Sequence, residues 1–172
     1  RHYNVSIRDP RKKQKSQKGE AAMKDVTVRE LFRSIPTETV SEVRVRGWVR
    51  TCRESKTIAF IELNDGSFFN NLQIVVEESA VNNFADALKR VSVGASVERV
   101  GDIVPTPEMK QPFEMKASSV TVLGDSPVDY PLQKKRHTVE YLRTIQHLRP
   151  RANLFQAVFR IRSVAAQAIH RF

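Results

Sequence analysis

The sequence predicts an all-β barrel followed by a helical segment, and three observations predict it. Residues 43–76 carry three consecutive runs in which apolar and polar side chains alternate with period two. Two further alternating runs follow, separated from the first three by one amphipathic stretch. Beyond a break rich in Pro, Gly and Asp, the period lengthens to about 3.6 and holds to Phe172.

In chain order, residues 1–22 lack apolar periodicity and read as a disordered basic tail, with seven Lys/Arg against two acids. The opening Arg and the internal Met23 suggest that the sequence begins off the natural start, or that upstream residues precede the domain. Thr27 followed by Glu30 is a capping box opening a helix over Val28–Ile35, which stops before Pro36. Strand one places Val43, Val45 and Val49 on one face and Arg44, Arg46 and Arg50 on the other, with Gly47 as a bend or bulge. In strand two Ala59, Ile61 and Leu63 alternate with Phe60, Glu62 and Asn64, and Asn64-Asp65-Gly66-Ser67 turns the chain into strand three. There Leu72, Ile74 and Val76 alternate with Gln73, Val75 and Glu77. Ser79 caps a helix to about Arg90, and strands four and five run over Ser96–Val104 and Met115–Leu123. This order over residues 23–124 is that of the OB-fold, a five-stranded Greek-key barrel with a helix between strands three and four.

Residues 125–137 read as a linker ending in the basic cluster Lys134-Lys135-Arg136-His137. Residues 138–172 begin a second domain. A short helix spans Val139–Ile145, and Asn153 with Gln156 resembles an N-cap box. The helix from Leu154 aligns Leu154, Val158, Ile161, Ala165, Ala168 and Phe172 in one apolar stripe, cut off in mid-stripe as a fragment of a longer chain would be.

Composition narrows the function classes. A net charge of +10 and a pI near 10.1 favour a polyanionic partner, although half of that excess belongs to the tail. Cys52 is the one cysteine, which excludes an internal disulfide, and the four histidines have no metal-ligand spacing. No apolar run reaches the roughly 20 residues that span a bilayer. No Gly-rich phosphate loop, nucleophile with a base, or carboxylate pair is present, so no catalytic residue is assigned. The expected class is a soluble protein of a reducing compartment.

Phe60 is the informative residue: an aromatic on the polar parity of strand two, where a base-stacking platform needs it. Around it, RVRGWVR…IAFIELNDGSFFNNLQIVV resembles the anticodon-binding domain of class IIb aminoacyl-tRNA synthetases. DYPLQKKRHTVEYLRTIQHLRPR with VFRIRSVAAQAIHRF is similar to the junction and first catalytic-domain helix of the asparaginyl branch of that family. The resemblance covers roughly Val43 to Phe172. It implies that Arg53, Phe60 and Gln73 contact the middle anticodon base, a uridine, with Glu98 as a further anticodon contact. It implies tRNA(Asn) as partner, and ATP and Mg²⁺ as cofactors of the intact enzyme, neither bound by this fragment. It also implies a homodimer interface on Leu154, Val158, Ile161 and Ala165, at the start of an α+β catalytic domain whose active-site motifs lie past Phe172. The compartment it implies is cytoplasmic, or organellar if residues 1–22 are a transit peptide.

Two points of chemistry stay open. By alternation Arg53 falls on the apolar parity of strand one unless Gly47 or the strand end shifts the register. The Gln73 amide can accept the uracil N3–H, but a flipped amide serves cytosine equally. Arg53 would then break that ambiguity or hold a phosphate, while Arg44, Arg46 and Arg50 supply general phosphate attraction. The alternative function is an OB-fold module that binds single strands without sequence preference, or a paralogue without aminoacylation.

Overall fold

The structure, a computed structural model, describes residues 23–172 apart from 83 and 110; the basic tail lies outside the described residues. Strand β1 (Lys24–Asp25) leads into α1 (Val28–Arg33), and β2 (Val40–Glu54), β3 (Ile58–Asn64) and β4 (Leu72–Glu77) follow. Then come α2 (Phe84–Lys89), β5 (Ser96–Pro105), β6 (Phe113–Gly124), α3 (Val139–Thr144) and α4 (Asn153–Arg171). The sheet runs β1-β2-β3-β4-β6-β5, and a further β2–β5 pairing closes it into a barrel. Five strands, β2 to β6, make that barrel, with β4 and β6 parallel. Strand β2 can pair with both β5 and β3 because it is 15 residues long, using residues 40–48 for one partner and 48–54 for the other.

The interior is the apolar parity of the five strands. Val43, Val45, Ile61, Leu63, Leu72, Ile74, Ile103, Phe113 and Met115 are each at most 1% exposed. Helix α1 is held by the capping box expected of it, Thr27 accepting from the Glu30 amide while Glu30 accepts from the Thr27 amide at 2.7 Å. The 64–67 turn serves this helix too. Asp65 Oδ2 accepts from the Val28 amide at 2.8 Å, covering an N-terminal donor that the helix cannot satisfy itself. The β3–β4 connection extends over residues 65–71 and is not a tight hairpin.

Helix α2 is shorter than the sequence suggests. Ser79 sits in a turn closed by the Ala80 amide donating to Glu77 O, and the helix starts at Phe84, past the weak helix formers at 82 and 83. Asn153 is likewise not a cap. Ala152 occupies the N-cap position, and Gln156 donates through Nε2 to Gly66 O at 3.1 Å, drawn away to the barrel turn.

One interior position breaks the pattern. Arg99, on β5, is 0% exposed, and none of its three side-chain nitrogens has a partner among the described residues. Burial lowers its pKa to about 10. An unpaired charge in an apolar barrel opposes folding. Arg99→Met keeps the packed stem and removes the charge, so at pH 7 it should raise stability by about 1–3 kcal/mol, read from the urea midpoint. The folded group has the lower pKa and loses its proton first, so the gain of the variant should shrink as pH rises through 10. An unchanged or lower midpoint would show that the guanidinium is stabilising where it lies.

The segment that composition marks as a linker is packed. Tyr130 and Leu132 are buried with Leu142, against Val93 of the α2–β5 connection and Ile145, Leu148, Ala152 and Phe155. Arg151 stacks over Trp48 at 4.5 Å and donates to the Tyr130 hydroxyl at 3.0 Å, while Arg50 donates to Arg151 O at 3.0 Å. Helix α4 has no buried residue, and its apolar stripe stands open, with Leu154 52% and Ile161 69% exposed. No helix among the described residues is long and apolar enough to cross a membrane.

Candidate nucleic-acid interface

The outer face of β2, β3, β4 and β6 is assembled by register. Strand β2 slips by one residue between Val49 and Thr51, leaving Arg50 unmatched as a bulge. Val49 pairs with Leu63 on the inner face, but past the bulge Thr51 pairs with Glu62, and Arg53 pairs with Phe60 on the outer face. This slip settles the parity of Arg53, and it lies at Arg50, not at Gly47 or the strand end. Gly47 answers a different need: a Cβ there would meet the Leu63 side chain at 2.7 Å and Asn64 O at 2.8 Å.

Two cross-strand rows result. The first reads Arg53, Phe60, Val75, Lys116 across β2, β3, β4 and β6. The second reads Thr51, Glu62, Gln73, and Glu114 closes it through a hydrogen bond from Gln73 Nε2 to Glu114 Oε2 at 3.4 Å. Phe60 is 44% exposed, and a cation stands at each end of its row. Neighbouring residues in adjacent strands lie about 5 Å apart, and the rows about 7 Å apart along a strand. Arg53, Phe60 and Gln73 therefore form one patch the size of a nucleotide.

Beside Gln73 a cleft of about 580 Å³ opens between the 65–71 and 106–112 connections, lined by Glu62, Phe69, Asn71, Gln111 and Glu114 among others. Gln111 and Glu114 are functional candidates that sequence reasoning missed. Gln111 Oε1 accepts from the Gln73 backbone N–H at 3.2 Å, and its own Nε2 is buried without a partner among the described residues. Alternation in strand five, with Phe113, Met115 and Ala117 inward and Glu114 and Lys116 outward, was the signal available for Glu114. The 106–112 loop carries no periodicity to read.

Glu98 is not part of the patch. It lies on β5 opposite Arg46 and accepts from Arg46 Nε at 2.7 Å. Arg46 is seven positions from Arg53 along β2, roughly 20 Å at the strand rise. The arginine face of strand one is largely neutralised: Arg44 and Arg46 both lie within 4.0 Å of Asp25 and Glu98, and the Glu98 hydrogen bond raises the Arg46 pKa further. Arg50 turns toward the 130–151 segment, and burial lowers its pKa.

Comparisons with known proteins bear on the fold that carries this face. Residues 43–123 match the family described as OB-fold nucleic acid binding domain. The chain is 56% identical over 149 residues to an asparagine–tRNA ligase of Clostridium botulinum (strain Langeland), covering 86% of this chain and 32% of that protein. It is 56% identical over 150 residues to the asparagine–tRNA ligase of Acetivibrio thermocellus, covering 87% and 32%. Among solved structures, asparaginyl-tRNA synthetase from Pyrococcus horikoshii complexed with asparaginyl-adenylate superposes with a TM-score of 0.70 at 19% identity, over 85% of this chain and 33% of that one. The Entamoeba histolytica asparaginyl-tRNA synthetase gives 0.62 at 22% identity, over 83% and 33%. At that identity the likeness shows the fold. The chain spans about a third of the length of the relatives it matches.

Proposed function

We propose that this chain, whose residues 43–123 belong to the family of OB-fold nucleic acid binding domains, is the anticodon-reading part of an asparagine–tRNA ligase. The observation that carries the reading is the joining of a stacking ring and an oriented amide in adjacent rows of one face. Phe60 stacks the middle base of the anticodon, a uracil, and Gln73 reads its edge.

Glu114 gives the amide its direction. A carboxylate only accepts, so the Gln73 end that faces it is the donor Nε2, and Oε1 is left toward the cleft. A free Oε1 accepts from uracil N3–H, while cytosine presents a lone pair at N3 and is repelled. Gln111, whose Oε1 accepts from the Gln73 backbone N–H, lines the same cleft. Arg53 is thereby freed for phosphate, in keeping with its exposed place at the row end.

Competition between two RNA stem-loops that differ only by U or C at the middle loop position tests this reading. The native chain should prefer U by about tenfold or more. In Glu114→Gln the neighbour can donate as well as accept, the Gln73 amide is free to flip, and the preference should fall toward parity with melting temperature unchanged. Equal affinity of the native chain for U and C would overturn the reading. A preference that survives Glu114→Gln would remove the orienting role.

The whole-enzyme part of the proposal goes further. The intact protein attaches asparagine to tRNA(Asn), and ATP with Mg²⁺ would activate the amino-acid carboxylate. Among the described residues no three His, Cys, Asp or Glu side chains converge as a metal site, and no catalytic step is assigned to them. The uncovered stripe Leu154, Val158, Ile161, Ala165 is proposed as a contact with a second subunit. Sedimentation of the intact enzyme as a monomer at micromolar concentration would remove that part.

A further inference from the structure

We propose that the Lys134–Arg136 run and the cleft beneath it are a second RNA-binding surface, holding the phosphodiester backbone of the strand that continues from the base on Phe60. The inference rests on the anticodon-reading proposal and adds a surface and a ligand chemistry to it.

Position is the first argument. A cleft of about 390 Å³ is lined by Arg50, Thr51, Glu62, Lys134, Lys135 and His137 among others. Thr51 and Glu62 belong to the row next to Arg53 and Phe60, about 7 Å along the strands. A strand leaving the base on Phe60 in that direction meets the cleft within about one nucleotide step.

Charge is the second. Lys134, Lys135 and Arg136 are exposed, and none has a carboxylate within 4.0 Å among the described residues. Arg44 and Arg46, two of the three cations that alternation offers for phosphate attraction, are occupied by Asp25 and Glu98, and the third, Arg50, lines this cleft. The acid in the cleft, Glu62, already accepts from Asn71 Nδ2 at 3.1 Å. Besides Arg53 and Lys116 at the ends of the Phe60 row, spare positive charge next to the stacking face therefore sits on the 134–136 run, outside the barrel.

Order is the third. Tyr130 and Leu132 are buried on either side of Pro131, Gln133 Nε2 donates to Tyr130 O at 2.8 Å, and the Lys135 amide donates to Gln133 O at 2.7 Å. His137 stacks on Tyr141 at 5.3 Å. The run is presented on a folded loop, so binding need not order the backbone that carries the charges. Lysines hold phosphates without reading bases. The cleft consequently adds affinity and orientation and leaves base choice to Gln73.

Binding of the U-containing stem-loop to the 172-residue chain, followed by anisotropy over a salt series, tests this. In Lys134→Gln/Lys135→Gln the slope of log affinity against log salt should become shallower by about 0.7–0.9 for each phosphate that is no longer neutralised. Affinity should fall several-fold at moderate salt, and the U:C ratio should stay that of the native chain. Lys89→Gln, which removes one charge from α2, serves as the remote control and should leave the slope unchanged. An unaltered slope in the double variant, or an equal change in the control, would overturn the proposal. Lack of U preference in the native chain is a separate outcome: it defeats the base-reading proposal, and the slope still decides whether this cleft meets a phosphate backbone.

Discussion

Phe60→Ala should weaken binding of the U-containing stem-loop by about 5- to 150-fold, the equivalent of about 1–3 kcal/mol for one stacked base. It should do so without unfolding anything. The ring is 44% exposed and stands on the opposite face from Ala59 and Ile61, which are 0% exposed in the core. Its truncation opens no cavity, and the melting temperature should move by no more than about 3 °C. The paired measurement is decisive because the two roles of an aromatic in a strand predict opposite results. A drop of about 10 °C or more would mean that the ring is structural, and the platform would be lost with it.

The second large effect is on the barrel itself. At Gly101, where β5 crosses between β2 and β6, a Cβ would lie 2.0 Å from Lys116 O and 2.8 Å from Ala117 Cα. Those are backbone atoms, which cannot rotate out of the way. Gly101→Val must push β6 off β5 beside an existing register shift at Val100/Gly101, at a cost of about 3 kcal/mol or more. For a chain of this size that corresponds to a melting temperature lower by about 6–12 °C. Strand β6 also carries Glu114 and Lys116, so the variant should lose U preference along with stability. A melting temperature within about 2 °C of the native value would show that the sheet can open there at little cost.

The site was legible in the sequence to a definite depth. Phe60 and Gln73 could be placed by alternation, because each stands in a strand whose inward residues are all aliphatic. Arg53 could not, since a bulge changes parity without leaving a mark in residue type. The Ser79 and Asn153 caps were misread for a related reason: a capping residue is chosen by local pattern, but Gln156 finds a better acceptor in a turn 90 residues away. The packing of the 125–137 segment was not legible because Pro, Gly and Asp report on the backbone, whereas Tyr130 and Leu132 report on burial, and composition averages the two.

What the amino-acid order settled alone was the set of strands, their inward faces, the capped first helix and an excess of positive charge. These depend on neighbours within one turn or one pleat. Tertiary structure decided which cations remain unpaired, which carboxylate orients Gln73, and that an arginine lies inside the barrel. Each of those facts depends on pairing between residues far apart in the chain, where a slip of one position reverses every side chain beyond it.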